Sequence, residues 1–188
     1  MNERPLLPDV TPGWSGRSTF EAMDLVETVR EEACRRLEES RLRIHACVGR
    51  LSDEQLWHRP NAHVVSLGNL VLHLTGNVEQ WINSALGSQP DRRVRDREFD
   101  EEGPVQREVL LGNLDATLLK AKSTINSLLE EDFTRWWPVQ GYRESGTAIV
   151  LHVVEHFSYH TGQITLHTKL MLDIDTGYYA GQDLNAKG

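Results

Sequence analysis

The chain has 188 residues, of which 39% are hydrophobic, and its 28 acidic and 20 basic residues give a formal net charge of −8. This length fits a single domain with its own core, and two cysteines are too few for a disulfide framework. The acidic balance argues against nucleic acid and anionic membranes as partners, and no apolar run is long enough to span a bilayer. Because the amino-terminal sequence also lacks a secretory pattern, we expect a cytoplasmic protein.

The first part of the chain divides into an arm and a helix. Residues 1–18 contain three Pro and two Gly without hydrophobic periodicity, which predicts an extended N-terminal arm before a domain at residues 19–188. From about Thr19 to Gly49, apolar residues recur at steps of three and four, which is typical of one buried helix face.

A second helix is predicted from Ser66, a residue type that caps helix N termini, to Gly87, and His73 lies inside its apolar stripe. The segment that follows, residues 88–104, is the most polar of the chain, and ten of the twelve residues in 91–102 are charged. We interpret it as a solvated crossover that is long enough for the second and third helices to run parallel.

The third and fourth helices complete the predicted fold. One apolar stripe begins after Gly103-Pro104, and another runs from about Thr147 to Leu172. Residues 131–146 between them are rich in aromatic side chains and predict either a loop that caps the core or the wall of a pocket. Since no segment shows the alternation of a half-buried strand, the sequence predicts an all-α fold, a four-helix bundle with a long crossover between helices 2 and 3.

Histidines on two of these helices indicate a metal site. His156 and His160 lie one turn apart on the buried side of the fourth helix, so both can reach one ion. His73 lies on the core side of the second helix, and facing helices of a bundle can present three imidazoles to one point. Three neutral imidazoles leave open coordination positions and suit Zn, Ni or Fe. The alternative is that each histidine is a core residue with a structural hydrogen bond.

A second pattern overlaps the first. His152, Glu155 and His156 match the H-x-x-E-H arrangement of inverted zinc peptidases, in which Glu155 would be the general base. This arrangement is disfavoured because His152 points away from the buried stripe. Five neighbours are candidates to tune the triad without binding the metal: His152, Glu155, Tyr159, Gln163 and His167.

Two segments carry a resemblance to a known family. SLGNLVLHLTGNVEQWI, which contains His73, and LHVVEHFSYHTGQITLHTKL, which contains His156, His160 and Gln163, resemble segments of the DinB/YfiT-like metalloproteins. The likeness runs from about residue 22 to the end of the chain. It implies a four-helix bundle, a divalent-metal site formed by the three histidines, and a homodimer.

The same resemblance implies a metal-dependent enzyme that acts on a small molecule, either a transferase that uses a low-molecular-weight thiol or a hydrolase. A non-catalytic metal-binding or stress-response bundle is the alternative. Cys34 and Cys47 lie on the first helix and are expected to be core or near-core thiols, so a reacting thiol would come from a cosubstrate. The sequence assigns no catalytic acid or base.

Overall fold

The computed structural model describes residues 24–187, so the predicted arm at residues 1–18 lies outside the described residues. Four long helices carry the fold, and shorter elements join them. In chain order the elements are α1 (Leu25–Val48), α2 (Asp53–Trp57), α3 (Leu67–Val78), a π-helical segment (Glu79–Leu86), α4 (Arg95–Asp100), α5 (Arg107–Ser127), α6 (Glu130–Thr134), β1 (Trp136–Val139), β2 (Tyr142–Ser145) and α7 (Gly146–Leu172).

Side-chain caps set the starts of the two helices that carry the histidines. Ser66 caps α3, as predicted: its hydroxyl accepts from the backbone N–H of Asn69 at 3.1 Å, and the Asn69 side chain accepts from the backbone N–H of Ser66. Ser145 caps α7 in the same way by accepting from the backbone N–H of Ala148.

The long helices pack around one core, and α3 and α5 run parallel as the length of the crossover predicts. Leu72 of α3 and Leu110, in the first turn of α5, line one cavity. Further along both helices Asn83, in the π-helical continuation of α3, donates to the backbone carbonyl of Thr117 at 3.3 Å. The all-α bundle with a long crossover is therefore confirmed. Among the helices of residues 24–187, none is long and apolar enough to cross a membrane. The largest fully buried side chains include Leu37, Ile44, Leu74, Leu118 and Phe157.

The aromatic connection after α6 is a β-hairpin, whereas the sequence analysis predicts only a loop or pocket wall there. β1 and β2 pair antiparallel with Val139 opposite Tyr142. Gln140 and Gly141 between them both have positive φ, 49° and 81°, which suits the tight two-residue turn that follows the twist of paired strands. Along β1 the exposed Trp136 alternates with the buried Trp137, a pattern too short to stand out from the surrounding loop.

The end of the second predicted helix is π-helical. From Glu79 to Leu86 the backbone makes wider turns, and the N–H of Gly87 donates to the carbonyl of Ile82, five residues earlier, at 2.9 Å. The segment buries Trp81 and Asn83. Hydrophobic periodicity does not distinguish one such turn from an α-helix.

A charged network joins α1 to α5. The Glu38 carboxylate accepts from Arg41 at 2.7 Å and from Lys122 of α5 at 2.8 Å. The hydrogen bond from Arg41, aided by Lys122 and opposed by burial, lowers the pKa of Glu38 from 4.5 to about 2. A carboxyl group whose pKa is lowered in the folded state stabilises the fold above its unfolded pKa and loses that contribution as the pH falls.

We expect Glu38→Gln to reduce the free energy of unfolding by up to about 1 kcal/mol at neutral pH, because about a third of the Glu38 side chain meets solvent that screens the pair. The difference from the unmodified protein should shrink as the pH falls from 4.5 toward about 2. Urea unfolding at several pH values measures it. Glu102→Gln is the matched control, since Glu102 is exposed and has no ion pair within residues 24–187. A pH-independent difference would contradict the assignment.

Candidate metal centre

Three imidazoles converge between α3 and α7. His73 comes from the middle of α3, and His156 and His160 come from successive turns of α7. One ring nitrogen from each lies within 4.8 Å of the other two, and the Nε2 atoms of His73 and His156 are 2.9 Å apart. The rings meet edge to face at interplanar angles of 73° to 87°. Within residues 24–187, this is the one group of His, Cys, Asp or Glu side chains with such spacing.

Helix packing produces this convergence. α7 runs antiparallel to α3, since His73 meets His156 while Asn77, one turn later on α3, meets His152, one turn earlier on α7. The buried Phe157 holds the same face of α7 against the core. With His73 buried and His156 and His160 half-buried, the three imidazoles stand at the edge of the core rather than in open solvent.

Burial keeps the His156 and His160 imidazoles uncharged. Desolvation, followed by repulsion from the neighbouring His160 and His73, lowers the pKa of His156 to about 3. Desolvation also lowers the pKa of His160, although its hydrogen bond to Gln163 acts in the opposite direction. Both side chains are thus neutral at physiological pH and have a nitrogen lone pair available, as metal binding requires.

Two acceptors orient the rings. The Gln163 side-chain oxygen lies 2.6 Å from Nδ1 of His160, and a Glu98 carboxylate oxygen lies 2.8 Å from Nδ1 of His73. An oxygen acceptor at this position favours the tautomer in which Nδ1 carries the proton and Nε2 keeps its lone pair. The free nitrogens are therefore the ones that face the centre.

Glu98 and Arg93 are the site residues that sequence analysis missed, and they correct the interpretation of the crossover as a wholly solvated loop. Both side chains are almost fully buried, with 10% of Glu98 and 4% of Arg93 exposed. Arg93 donates through Nε and Nη2 to the two carboxylate oxygens of Glu98, at 2.6 and 2.8 Å. Burial raises the pKa of Glu98, but the hydrogen bonds from Arg93 and His73 outweigh it, and the pKa is lowered overall.

A cleft of about 350 Å³ opens beside the triad. His73 and His156 form its floor, and the β-hairpin forms one side through Gln140 and Tyr142. The indole N–H of Trp81 donates to the Gln140 side chain at 2.9 Å, which ties the π-helical segment to the hairpin. The hairpin thus does what both alternatives predict, because Trp137 and Val139 cap the core while its turn walls a pocket.

Comparison with known proteins places the chain in a family. Residues 24–177 match the sequence profile described as a protein of unknown function, DUF1572, which is a DinB-like family. The chain belongs to the DUF1572 family. No curated protein matches it in sequence.

Solved structures resemble this DUF1572 protein in fold. A DinB-like protein from Bacillus cereus has a TM-score of 0.61 at 15% identity, with 77% of this chain and 91% of that one covered. A conserved protein from Enterococcus faecalis has a TM-score of 0.64 at 14% identity, with 81% of this chain and 100% of that one covered. A DinB-like protein from Bacillus subtilis has a TM-score of 0.59 at 17% identity, with 77% of this chain and 94% of that one covered. At these identities the likeness extends to the fold alone.

The other candidate residues of the DUF1572 chain differ in where they lie relative to the triad. Gln163 contacts the triad directly, and the largely exposed Tyr159 meets the His160 ring edge-on with ring centres 5.1 Å apart. His152 lies outside the triad, yet it is a cleft wall rather than a peripheral residue, stacked 3.9 Å from Trp81. Glu155 is exposed, and the converging group contains neither His152 nor Glu155, so the H-x-x-E-H arrangement is not assembled.

His167 does not reach the triad. It lies two turns beyond His160 on α7 and is half-buried, and within residues 24–187 it makes no hydrogen bond to any of the three histidines. That His167 supports the site from further away stays a prediction.

Proposed function

We propose that the protein binds one divalent transition-metal ion through His73, His156 and His160 and uses it to act on a small molecule in the adjacent cleft. The observation that carries the proposal is the convergence of three imidazoles between facing helices. Two of these rings have Nδ1 engaged by an oxygen acceptor, which leaves Nε2 free.

The donor set fits such an ion. Imidazole nitrogen suits Zn, Ni and Fe, and three protein ligands leave open positions, as catalytic sites do. A bound ion would supply Lewis-acid chemistry that makes a water molecule or a thiol nucleophilic at neutral pH. Both reaction types under consideration, thiol-dependent transfer and hydrolysis, need such a nucleophile.

The chain's own residues would hold the substrate. Polar groups beside the floor of the cleft come from three lining residues, Asn77, Tyr142 and Glu144. Arg95 also lines it and has no ion pair within residues 24–187, so it offers a cation to an anionic group of the substrate. The stacked rings of Trp81 and His152 form an apolar and aromatic part of the cleft wall.

A thiol nucleophile would be a cosubstrate. Cys34 lies against α5, where its sulfur is 3.5 Å from the side-chain oxygen of Asn126. Cys47 is fully buried, with its sulfur 3.1 Å from the hydroxyl of Tyr178. Neither cysteine lines the cleft.

We expect turnover to depend on the metal. Metal-depleted protein, and the same protein reloaded with zinc or nickel, would be assayed with a thiol and a panel of electrophiles, and separately with esters and amides. The reloaded protein should turn over one panel, and the depleted protein neither. Metal bound at full stoichiometry without turnover in either panel would contradict the catalytic proposal and favour a non-catalytic metal-binding bundle.

A further inference from the structure

A buried ion pair lies in the segment where solvent exposure is expected. Arg93 uses Nε and Nη2 on Glu98 and donates through Nη1 to the Gln80 side chain at 2.9 Å. Removing two charges from water is costly, and a buried pair is by itself weak support for stability. The stability of the crossover is therefore not a sufficient explanation for the burial of the Arg93–Glu98 pair.

The pair ends on a triad imidazole. The second oxygen of Glu98 lies 2.8 Å from Nδ1 of His73, on the side of the ring away from His156. Metal-binding histidines generally donate their other N–H to a carboxylate or carbonyl, which fixes the tautomer and the ring orientation. Arg93 Nη2 lies 3.2 Å from the same Nδ1 but also donates to Glu98 at 2.8 Å. Because the Glu98 carboxylate oxygen is nearer to Nδ1 and can only accept, the pair favours the tautomer in which Nδ1 of His73 donates to Glu98.

We propose that Glu98 is a positioning residue for His73, that Arg93 holds the Glu98 carboxylate in place, and that this pair raises the affinity of the triad for a divalent metal. The inference rests on the proposed function, since it concerns the same site. Through Glu98 and Arg93 the crossover would position a ligand of the metal centre, which the charged composition of the crossover does not indicate.

One face of α3 is shaped to receive this carboxylate. Asn69, His73 and Gly76 lie at steps of four and three, so they share one side of the helix. The buried Asn69 amide donates to the backbone carbonyls of Glu98 at 2.9 Å and of Glu101 at 2.8 Å, which fixes α4 against α3. A Cβ at position 76 would overlap the Glu98 carboxylate, so glycine leaves the space that the carboxylate occupies.

Gly76→Ala tests the proposal without changing any charge. The added methyl group must displace the Glu98 carboxylate, and we expect zinc affinity, measured by competition with a chromophoric chelator, to fall about 10- to 100-fold. Gly112→Ala is the matched control, because Gly112 is also inside a helix and a Cβ there meets nothing within 4 Å. Its zinc affinity should equal that of the unmodified protein.

Glu98→Gln is the second variant, because it keeps the size of the side chain and removes its charge, and Glu102→Gln is its exposed control.

Nitrogen-15 spectra of the metal-free protein report which ring nitrogen of His73 carries the proton. We expect the Nδ1–H form in the unmodified protein and a weakened preference in Gly76→Ala. If Gly76→Ala does not show the native helical circular dichroism, the affinity of Glu98→Gln decides.

The outcomes separate this inference from the proposed function. Failure of the unmodified protein to bind zinc would overturn both. Zinc binding by the unmodified protein with equal affinity in Gly76→Ala and Glu98→Gln would overturn the positioning role alone. Weaker binding in these variants, with the two controls unchanged, would support it.

Discussion

His160→Ala is expected to reduce the zinc bound by the purified protein from one ion per chain to almost none, and His73→Ala is expected to do the same. Each imidazole is one of only three ligand side chains in the cluster, so its removal should weaken binding by more than the roughly 10- to 100-fold that follows loss of an outer hydrogen-bond partner. The measurement is elemental analysis after dialysis against limiting zinc, with circular dichroism to show that each variant is folded.

His152→Ala is the control for these two substitutions. His152 is next to His156 on α7 and lines the cleft, but it is not part of the converging group. It should keep full zinc content. Retention of stoichiometric metal in both His73→Ala and His160→Ala would exclude the triad. Loss of zinc from His152→Ala would indicate that His152 is a ligand, as the H-x-x-E-H arrangement requires.

Phe157→Ala should cause the largest loss of stability, about 3–5 kcal/mol in the free energy of unfolding. Phe157 is 1% exposed and lies between the two ligand turns of α7, so truncation removes a full aromatic ring from the core and leaves a cavity. Urea unfolding measures the change. Tyr159→Ala is the control, because Tyr159 is 63% exposed and its loss should cost less than about 0.5 kcal/mol. A loss below about 1 kcal/mol for Phe157→Ala would mean that the neighbouring side chains refill the space.

Hydrophobic periodicity predicts the long helices because their buried faces are continuous over many turns. In α1, for example, Ala33, Leu37, Ile44 and Cys47 are all buried, as the spacing requires. The meeting of His156 and His160 also follows from spacing within one helix. Placing His73 against them requires only that α3 and α7 pack against each other, as neighbouring helices of a bundle do.

The residues around the triad could not be predicted in the same way. Glu98 is one of several acids in a run of mixed charges, and nothing local separates it from the exposed Glu102. Its burial depends on contacts with α3, about twenty-five residues earlier in the chain, and on a space that exists only because position 76 is glycine. A glycine inside a helix is a weak hint of such close packing, and its partner is visible only in three dimensions.

The hairpin and the π-helical segment escaped prediction for a different reason. Each departs from regular structure over only a few residues. The hairpin has four residues in each strand, too few for a period of two to emerge. The π-helical segment keeps apolar residues on the buried side, so its pattern is that of an α-helix.

The wider turns from Glu79 to Leu86 affect the angular relation between two parts of one helix. A residue in a π-helix advances around the axis by less than the 100° of an α-helix, so Trp81 is rotated relative to His73 from where a regular helix would put it. The half of the helix that carries His73 can therefore keep its phase toward α7, while the half that carries Trp81 takes another phase toward the hairpin. Deleting Glu79 or Gln80, which lie between His73 and Trp81, would rotate Trp81 about the helix axis by about 100° and turn it away from His152, with His73 left in place.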